Sequence, residues 1–351
     1  MVTLTLSCAV SKDGYLDDTS ERRALLSSPE DLDAVLALRA QMDMIVIGAE
    51  TLRRDNPSLA TRGGDHVKTR QAAGRDPDPI KLVLSRSGNI PADRAFFQTG
   101  SAETIVLSKT HSDGPGTRIQ LSGDPIETII DLAQDRGLED VMIEGGAEIL
   151  RLALPRARFL RLAINPDKLN ETGHARLFDD PDAFLAEQHI LKTETLGRTQ
   201  VYHIDLLLSR ARPLMAQACA LSEQCPPSDT AFAVGCLGCS EDLSVLATGY
   251  SRQTGPHDHA EEAMLQHANA PLHTVIVTLE PCLIRASKPT GCAQRLVNAG
   301  VKRIIYAVSE DETFTRQAGL AYLAKHGVEC LHLPGFDDAF RTANPLIYGR
   351  A

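Results

Sequence analysis

The stretch His259-Ala260-Glu261, followed at residues 278–282 by Thr-Leu-Glu-Pro-Cys and then by Cys292, decides the fold of the second half of the chain. The apolar pattern predicts a helix that begins at His259, a strand His273–Leu279 and a second helix that begins at Cys292. With His259 at a helix start and both cysteines at a strand-to-helix turn, the three side chains are expected to converge on one point.

One imidazole and two thiolates form the ligand set of a catalytic zinc ion, which takes three protein ligands and keeps one position open for water. Glu261 lies too close to His259 in sequence to be an easy fourth ligand. It can instead take a proton from the metal-bound water and pass it to departing ammonia. Zinc deaminases carry this His-x-Glu and Pro-Cys signature. The sequence therefore predicts Glu261 as a catalytic residue and His259, Cys282 and Cys292 as zinc ligands.

Two other interpretations of this motif are a structural zinc site and a pair of buried cysteines. A structural site usually has a fourth protein ligand, which no motif places here. Beside the motif, His257 and Asp258 either bind substrate or make a turn, and we favour the turn. Cys236 and Cys239 lie on a strand-like run, where residues i and i+3 face opposite sides, so we expect core residues rather than a metal or redox pair. The same expectation of burial applies to Cys8, Cys219, Cys225 and Cys330.

A domain boundary is predicted near Ser209–Pro213, where the last strand of the first half ends and a helix Pro213–Ser222 begins a new pattern. The chain therefore divides into residues 1–209 and 213–351. The second part predicts a three-layer α/β/α domain with a mixed or largely parallel sheet. Its remaining elements are a hairpin Ala231–Gly238 with Val245–Tyr250, a strand Val301–Val308, a helix Phe314–His326 and a short strand Val328–Leu333.

The first half predicts a second α/β domain, in which strands and helices alternate. Helical patterns cover Pro29–Gln41, after a Ser-Ser pair, and Pro125–Asp135, after Asp124, and a third helix follows Gly145-Gly146. Residues Gly63–Pro79 are polar and rich in Gly, Asp and Pro, which predicts an exposed loop. Strand-like runs cover Val2–Ser11, Met44–Gly48, Ile80–Ser85, Thr104–Ser108, Asp140–Ile143, Phe159–Ile164 and Val201–Leu208.

Length and charge restrict the function classes. The chain has 351 residues, and single cores tend to divide above about 250–300 residues. The net charge of −10 argues against broad binding to nucleic acid or anionic membranes, although it leaves room for one small basic pocket. The chain has no apolar run of about 18 residues, and its start alternates like a strand rather than a signal peptide. We therefore expect a cytoplasmic protein whose cysteines bind metal or are buried, rather than forming disulfides.

The residues of the zinc motif resemble the deaminase domain of bifunctional riboflavin-biosynthesis enzymes of the RibD type, which carry the same Thr-Leu-Glu-Pro-Cys. The resemblance implies a cytidine-deaminase-like fold. The family usually has a His-His-Gly-Arg-Thr-Pro-Pro-like loop between its cysteines, whereas this chain has Leu-Ile-Arg-Ala-Ser-Lys-Pro-Thr-Gly. Residues 227–235 look more like the fungal riboflavin deaminases than the bacterial ones. The zinc chemistry therefore transfers better than the contacts to substrate.

The first half resembles the reductase domain of the same enzymes, which has a dihydrofolate-reductase-like fold and uses NADPH. The reductase part here precedes the deaminase part, which reverses the common bacterial order. The matching pieces, which cover nearly the whole domain, are Ser11-Lys12-Asp13-Gly14, Leu38-Arg39-Ala40-Gln41, Gly48-Ala49-Glu50-Thr51, Asp55-Asn56-Pro57-Ser58-Leu59 and Ile143-Glu144-Gly145-Gly146.

Several of these pieces have a physical interpretation of their own. Two glycines between a strand and a helix let the backbone approach a diphosphate at the helix N-terminus. A guanidinium group matches phosphate oxygens with paired donors, and open α/β sheets place ligands at the carboxyl ends of strands. The resemblance implies a cofactor site formed by Thr51, Asp55, Gly145, Gly146, Ala147, Glu148 and Ile149. It implies a substrate site formed by Arg39, Leu59, Arg62 and Glu144.

The chain departs from the reductase pattern in two places. It has no Trp, and Ala24–Ser27 stands where the family often has a Trp before an Ile-Thr pair. Asp55-Asn56-Pro57 replaces the family's Asp-Asp-Pro. The departures affect contacts to the cofactor, and they keep open the possibility of a reductase half that binds ligand without catalysis.

Together these observations predict a homodimeric, bifunctional enzyme of riboflavin biosynthesis. One domain deaminates 2,5-diamino-6-ribosylamino-pyrimidinone 5′-phosphate or its ribityl form, with zinc. The other uses NADPH to reduce the ribosyl group to ribityl. The alternative is a zinc deaminase of another nucleobase or of nucleic acid with a non-catalytic N-terminal domain; the acidic balance and the lack of interleaved basic and aromatic residues speak against it. The order of the two steps is left open.

Overall fold

The computed structural model describes residues 2–20, 24–285, 288–309 and 318–348. The chain forms two compact units, Met1–Leu207 and Leu208–Ala351, and each unit has its own sheet and hydrophobic core. Among the helices of the described residues, none combines the length and the apolar character needed to cross a bilayer.

The first unit is built on a nine-stranded, mostly parallel sheet. The unit contains these nine strands and a separate pair. In chain order the strands are β1 (Thr3–Val10), β2 (Tyr15–Asp18), β3 (Met44–Gly48), β4 (Ile80–Ser85), β5 (Thr104–Ser108), β6 (Thr117–Gln120), β7 (Asp140–Glu144), β8 (Phe159–Ile164), β9 (Gly173–Arg176), β10 (Ile190–Leu196) and β11 (Thr199–Asp205), of which β2 and β9 form the separate pair. Its helices are α1 (Pro29–Arg39), α2 (Ala49–Asp55), α3 (Gly64–Ala72), α4 (Ala95–Gln98), α5 (Pro125–Asp135), α6 (Ala147–Ala153) and α7 (Pro181–Ala186), with a 3-10 turn at Asn170–Thr172.

The strands of this sheet follow the order β10-β11-β8-β1-β7-β3-β4-β5-β6. Every neighbouring pair from β8 to β6 is parallel, whereas β11 and β10 add an antiparallel edge. Strands β2 and β9 pair separately as a two-stranded antiparallel ribbon. The central strand β3 reads Met-Ile-Val-Ile-Gly and buries its first four side chains completely, as is typical of parallel strands covered on both faces. The sheet therefore brings the carboxyl ends of β1, β3, β4 and β7 to one edge.

The helices around the sheet begin at the predicted caps. Ser28 Oγ accepts a hydrogen bond from the backbone N–H of Asp31 at 3.1 Å, and Asp124 Oδ1 accepts two from the first turn of α5. A proline follows each cap, where its missing N–H costs nothing. After β7 the chain turns through Gly145 and Gly146, whose φ angles of 69° and 84° favour glycine.

The second unit has a five-stranded mixed sheet of order β13-β12-β14-β15-β16. The strands are β12 (Gly235–Cys239), β13 (Val245–Tyr250), β14 (Thr274–Leu279), β15 (Arg303–Val308) and β16 (Glu329–His332). Helix α8 (Leu206–Ser222) begins with the last two residues of the first unit and continues into the second. The other helices of the second unit are α9 (Ala260–His267), α10 (Cys292–Asn298), α11 (Ala318–Lys325), α12 (Asp337–Ala343) and α13 (Pro345–Tyr348). Strands β14, β15 and β16 are parallel, and β12 joins them antiparallel as half of the predicted hairpin with β13.

Helix α9, which follows His259, packs unusually close to strand β13. A Cβ atom at Gly249 would lie 2.4 Å from the carbonyl oxygen of Ala260 and from the backbone nitrogen of Met264. Because backbone atoms cannot give way, only glycine at this position allows the helix to approach the sheet so closely. The sequence of β13 therefore fixes where the first turn of α9 lies.

Three element predictions from the sequence are wrong in their type or their bounds. Residues Gly63–Pro79 are not simply a loop, because α3 occupies Gly64–Ala72 and buries Arg70, which donates to the carbonyl oxygens of Met42 and Asp76. The predicted strand Val201–Leu208 ends at Asp205, and the predicted helix Pro213–Ser222 begins seven residues earlier, at Leu206. The helix extends through Pro213 because apolar residues at helical spacing are buried along it: Leu207, Ala211, Met215 and Ala218.

Most other boundaries differ by one or two residues, which is ordinary fraying at element ends. The largest difference is at the hairpin, where β12 begins at Gly235, four residues after the predicted Ala231. Residues 314–317 of the predicted helix Phe314–His326 lie outside the described residues, and the described remainder is α11. The sequence did not predict the ribbon β2–β9 or the edge strands β6 and β10, whose polar, partly exposed residues lack an apolar alternation.

Candidate active sites

His259, Cys282 and Cys292 converge in the second unit. His259 is the N-cap of α9, Cys282 follows the end of β14, and Cys292 is the first residue of α10. Their ligand atoms all lie within 4.8 Å of one another. His259 Nδ1 is 3.5 Å from Cys282 Sγ and 3.3 Å from Cys292 Sγ. The structure thus brings together the three side chains that the sequence proposes as metal ligands.

This donor set fits a zinc ion. The hydrogen bond between Cys282 and Cys292 lowers the pKa of Cys282 to about 4. Burial opposes this shift, and the hydrogen bond with His259 adds to it. The two cysteines together therefore carry one thiolate. Thiolate and imidazole are the ligands that zinc prefers. Among the described residues, no fourth His, Cys, Asp or Glu joins the cluster. Three ligands with an open fourth position is the arrangement of a catalytic site rather than a structural one.

Two adjacent glutamates in the first turn of α9 have opposite environments. Glu261 is 3% exposed, and burial raises its pKa. Burial also opposes ionisation of Glu262, but hydrogen bonds from Arg285 and Lys288 hold the pKa of that carboxyl below its usual range. Carboxyls whose environments push their pKa values apart divide into one that exchanges a proton and one that stays charged. Glu261 has the character of the first kind.

Glu262 is a residue that the sequence analysis missed. Its carboxylate accepts from Arg285 at 2.5 Å and from Lys288 at 3.0 Å, and it forms an ion pair with Arg295 at 3.2 Å. It also accepts from the backbone N–H of His259 at 3.2 Å, which completes a capping box. Three cationic residues lie in or just after the segment between the two cysteines, and they were the only sequence feature that pointed to a buried acidic partner such as Glu262. Glu262 therefore ties that segment to the helix start that carries His259.

The remaining residues beside the motif mostly match their predictions. The backbone N–H of Asp258 donates to Gly255, which makes the expected turn. Cys236 and Cys239 are fully buried core residues. Cys8 and Cys219 are also buried, but Cys225 and Cys330 are only half-buried, so the expectation of full burial is wrong for those two.

The first unit contains a cavity of about 960 Å³ at the carboxyl ends of β3, β4 and β7. Its wall includes all but one of the residues predicted to bind cofactor or substrate. Those in the wall are Arg39, Thr51, Asp55, Leu59, Glu144, Gly145, Gly146, Ala147, Glu148 and Ile149. Arg62 is exposed and is not part of the wall.

The turn after β7 has the shape of a cradle for a ligand's phosphates. A Cβ atom at Gly145 would lie 3.0 Å from Thr51 Cγ2 and 3.2 Å from Thr51 Oγ1. Gly145 therefore packs closely against the Thr51 side chain, and neither glycine of the turn carries a side chain of its own. Both features fit the diphosphate of a dinucleotide, which binds where backbone N–H groups can approach it.

The charged groups of the wall are mostly paired with one another. Arg39 donates to both carboxylate oxygens of Glu144, Nε to Oε1 at 2.6 Å and Nη2 to Oε2 at 2.5 Å. Burial opposes the charge of Arg39, but the adjacent Glu144 carboxylate raises its pKa. Elsewhere in the wall, Asp31 binds Arg161 at 2.5 Å. The charged side chains of the wall are therefore held in place by ion pairs, and the wall as a whole carries little net charge.

Comparison with known proteins finds a domain family for each half of the chain. The RibD C-terminal domain family matches residues 2–182, just over half of the chain. The chain belongs to the RibD family. The cytidine and deoxycytidylate deaminase zinc-binding region matches residues 208–308. The predicted RibD resemblance, the fold class and the reductase-before-deaminase order are confirmed, and these RibD-type and deaminase-type domains use NADPH and zinc, respectively.

Individual relatives cover one half or the other. The chain is 21% identical over 203 residues to the 2,5-diamino-6-ribosylamino-4(3H)-pyrimidinone 5′-phosphate reductase of Archaeoglobus fulgidus, which spans 55% of this chain and 92% of that protein. It is 28% identical over 169 residues to the diaminohydroxyphosphoribosylamino-pyrimidine deaminase of Schizosaccharomyces pombe, spanning 44% of this chain and 42% of that protein. A Thermotoga maritima deaminase/reductase structure is 18% identical with a TM-score of 0.49, covering 58% of this chain and 56% of that one.

Proposed function

We propose that this RibD-family chain is a bifunctional enzyme of riboflavin biosynthesis. The second unit hydrolytically deaminates a diaminopyrimidinone that carries a ribosylamino or ribitylamino 5′-phosphate. The first unit reduces the ribosyl group to ribityl. The observation that carries the proposal is the cluster of His259, Cys282 and Cys292 beside the buried Glu261, in a chain whose other half has a cavity with the family's reductase residues.

In the deaminase site, His259, Cys282 and Cys292 would hold the zinc ion. Bound zinc lowers the pKa of a water and so supplies a nucleophile near neutral pH. Glu261 takes a proton at its carboxylate and returns it to the departing amino group, so that water adds, the C–N bond breaks and ammonia leaves. Burial supports this role, because a raised pKa brings the carboxyl closer to the working pH.

In the reductase site, the turn Gly145-Gly146 and Thr51 would hold the cofactor diphosphate, and Asp55 and Ala147–Ile149 would complete the cofactor wall. When bound, NADPH would supply the hydride to C1′ of the opened ribosylamino group, and the nitrogen of its C1′=N bond would take a proton from solvent. Arg39, Leu59 and Glu144 orient the substrate along the opposite wall. Arg62, which the sequence places at the substrate, is left out of this arrangement because it is exposed and lies outside the cavity wall.

The substrate in this proposal is a free small molecule. The net charge of −10 and the self-paired charges of the reductase cavity support a compact phosphate ester over a nucleic acid. The homodimer and the cytoplasmic location stay predictions of the sequence.

The test is to incubate the full-length protein with the ribosylamino substrate and to follow ammonia release and NADPH oxidation in the same sample. Treatment with a zinc chelator should abolish ammonia release and leave NADPH oxidation intact, because the two sites lie in different units. Ammonia release that survives complete removal of zinc would contradict the deaminase assignment. Absence of NADPH oxidation with either substrate form would contradict the reductase assignment.

A further inference from the structure

One wall of the reductase cavity is a face of helix α1. Asp31, Val35 and Arg39 all line the cavity, and their spacing of four residues places them on one side of the helix. Eight residues of α-helix rise about 12 Å. Asp31 and Arg39 therefore mark the two ends of an extended wall along which a substrate can lie.

The two ends of this wall differ in how completely they are hydrogen-bonded. At one end, Arg39 donates a hydrogen bond to each carboxylate oxygen of Glu144. At the other end, Asp31 Oδ1 accepts from Arg161 Nη2 at 2.5 Å. Asp31 Oδ2 is buried and has no hydrogen-bonding partner among the described residues. The Asp31 side chain is 0% exposed and Arg161 is 3% exposed, so solvent does not replace the missing partner.

This orphaned oxygen distinguishes Asp31 from the other carboxylates of the cavity wall. Asp17 uses one oxygen for backbone N–H groups and the other for Arg54. Both oxygens of Glu148 accept from Arg86. A buried acceptor without a partner costs folding free energy, so its presence in a cavity wall calls for an explanation, and a ligand that supplies the missing donor is one. The missing partner is a donor, because a carboxylate paired with arginine only accepts.

We propose that Asp31, held by Arg161, accepts a hydrogen bond from the 2-amino group of the substrate's pyrimidinone ring. The inference rests on the proposed function, and it makes Asp31 the residue of this wall that recognises the substituent at C2 of the ring. A 2-aminopyrimidin-4-one presents N–H donors at C2, which complement a carboxylate oxygen. After deamination, C2 carries a carbonyl oxygen whose lone pairs face the carboxylate and repel it. The reductase cavity therefore selects the aminated ring.

This selection sets the order of the two reactions. A reductase that reads the 2-amino group acts before the hydrolysis that removes it. The reductase half then consumes the aminated ribosyl compound and supplies the aminated ribityl compound, and the deaminase half consumes that product. The reaction class that must precede this enzyme is therefore one that leaves the 2-amino group in place.

The test compares two substrates that differ only at C2, the 2-amino ribosyl compound and its deaminated form, in NADPH oxidation by the full chain. For the unaltered protein we expect kcat/KM to favour the aminated ring about 10- to 100-fold, the range for one hydrogen bond to a charged group. Asp31→Asn keeps the shape, and its amide can donate to a C2 carbonyl. It should bring the preference to within about threefold of unity, or reverse it, with unchanged affinity for NADPH.

Asp33→Asn is the matched control, because Asp33 is exposed on the same helix and does not line the cavity. It should keep the preference of the unaltered protein. An unaltered enzyme that prefers the deaminated ring, or an Asp31→Asn enzyme that keeps the original preference, would overturn the inference. Because the first comparison needs no variant, loss of folding in Asp31→Asn cannot hide the answer. Failure to reduce either ring would instead contradict the proposed function.

Discussion

The guanidinium of Arg39 and the carboxylate of Glu144 form a two-pronged ion pair, with both N–O distances at 2.5–2.6 Å. Arg39 ends helix α1, and Glu144 ends strand β7 directly before the Gly145-Gly146 turn. The pair therefore fixes the substrate wall of the reductase cavity against the turn proposed to hold the cofactor. Paired geometry of this kind gives orientation as well as attraction.

Arg39→Ala should lower reductase kcat/KM about 10- to 100-fold, because it removes a charge-assisted contact and leaves Glu144 unpaired beside the anionic ligands. Arg62→Ala should change it by no more than about twofold, since substitutions at exposed positions away from a site rarely exceed about 0.5 kcal/mol. Steady-state rates of NADPH oxidation, measured for both variants, show which of the two arginines contributes to the substrate site. A strong loss in Arg62→Ala alone would restore Arg62 to the substrate site, as the sequence predicts.

The zinc ligands make a prediction about metal content. The purified chain should contain about one zinc, and the double variant Cys282→Ala, Cys292→Ala should contain almost none, because one imidazole cannot hold the ion by itself. Elemental analysis measures this directly. The double variant Cys236→Ala, Cys239→Ala is the control and should retain the metal, since both residues are core side chains outside the cluster. Full zinc occupancy without Cys282 and Cys292 would exclude the assignment.

Glu262→Gln should weaken zinc binding without removing a ligand. The carboxylate orients the start of α9 and binds three cations, among them Arg285 and Lys288. Loss of such an outer partner typically costs about 10- to 100-fold in metal affinity. Competition with a chelator of known affinity measures the change, and Glu223→Gln on an exposed position serves as control. Unchanged zinc affinity in Glu262→Gln would show that the segment between the cysteines is held in another way.

Lys81 makes a prediction about stability. Its ammonium is buried and donates to the carbonyl oxygens of Ser58, Phe96 and Thr99, next to the cavity residue Leu59. Lys81→Met leaves three carbonyls without that donor and should lower the free energy of unfolding by about 2–4 kcal/mol. Urea denaturation measures the loss. Lys68→Met, on an exposed position, should change the stability by less than about 0.5 kcal/mol, and an equal loss in both variants would contradict the account.

The sequence predicted that His259, Cys282 and Cys292 converge because local rules set their positions. His259 begins a helix, Cys292 begins another, and Cys282 follows a buried strand, so element boundaries alone bring the three together. The central strands were equally predictable, since a run such as Met44–Gly48 is continuously apolar. Their order in the sheet is set by pairing across long separations and carries no local signal.

What the sequence could not show depends on contacts between distant residues. Asp31 looks like an ordinary first-turn acid of a helix, and only the fold places it against Arg161, 130 residues away, at a cavity wall. The polar, Gly-, Asp- and Pro-rich composition of Gly63–Pro79 gave that segment the appearance of a loop, although the contacts of Arg70 with Met42 and Asp76 support a helix. Glu262 gained its role from three cations that no spacing rule connects to it.

The most direct test of two separate chemistries in one chain is the product formed by Glu261→Gln. The variant keeps all three metal ligands but loses the carboxylate that moves the proton, so deamination should fall by at least about 10²-fold. Its reductase half is unaltered. Supplied with NADPH and the aminated ribosyl substrate, the variant should accumulate a product that has gained two hydrogens and kept its 2-amino group, as read by mass spectrometry. Release of ammonia at the rate of the unaltered protein, or a failure to form the reduced product, would contradict the account.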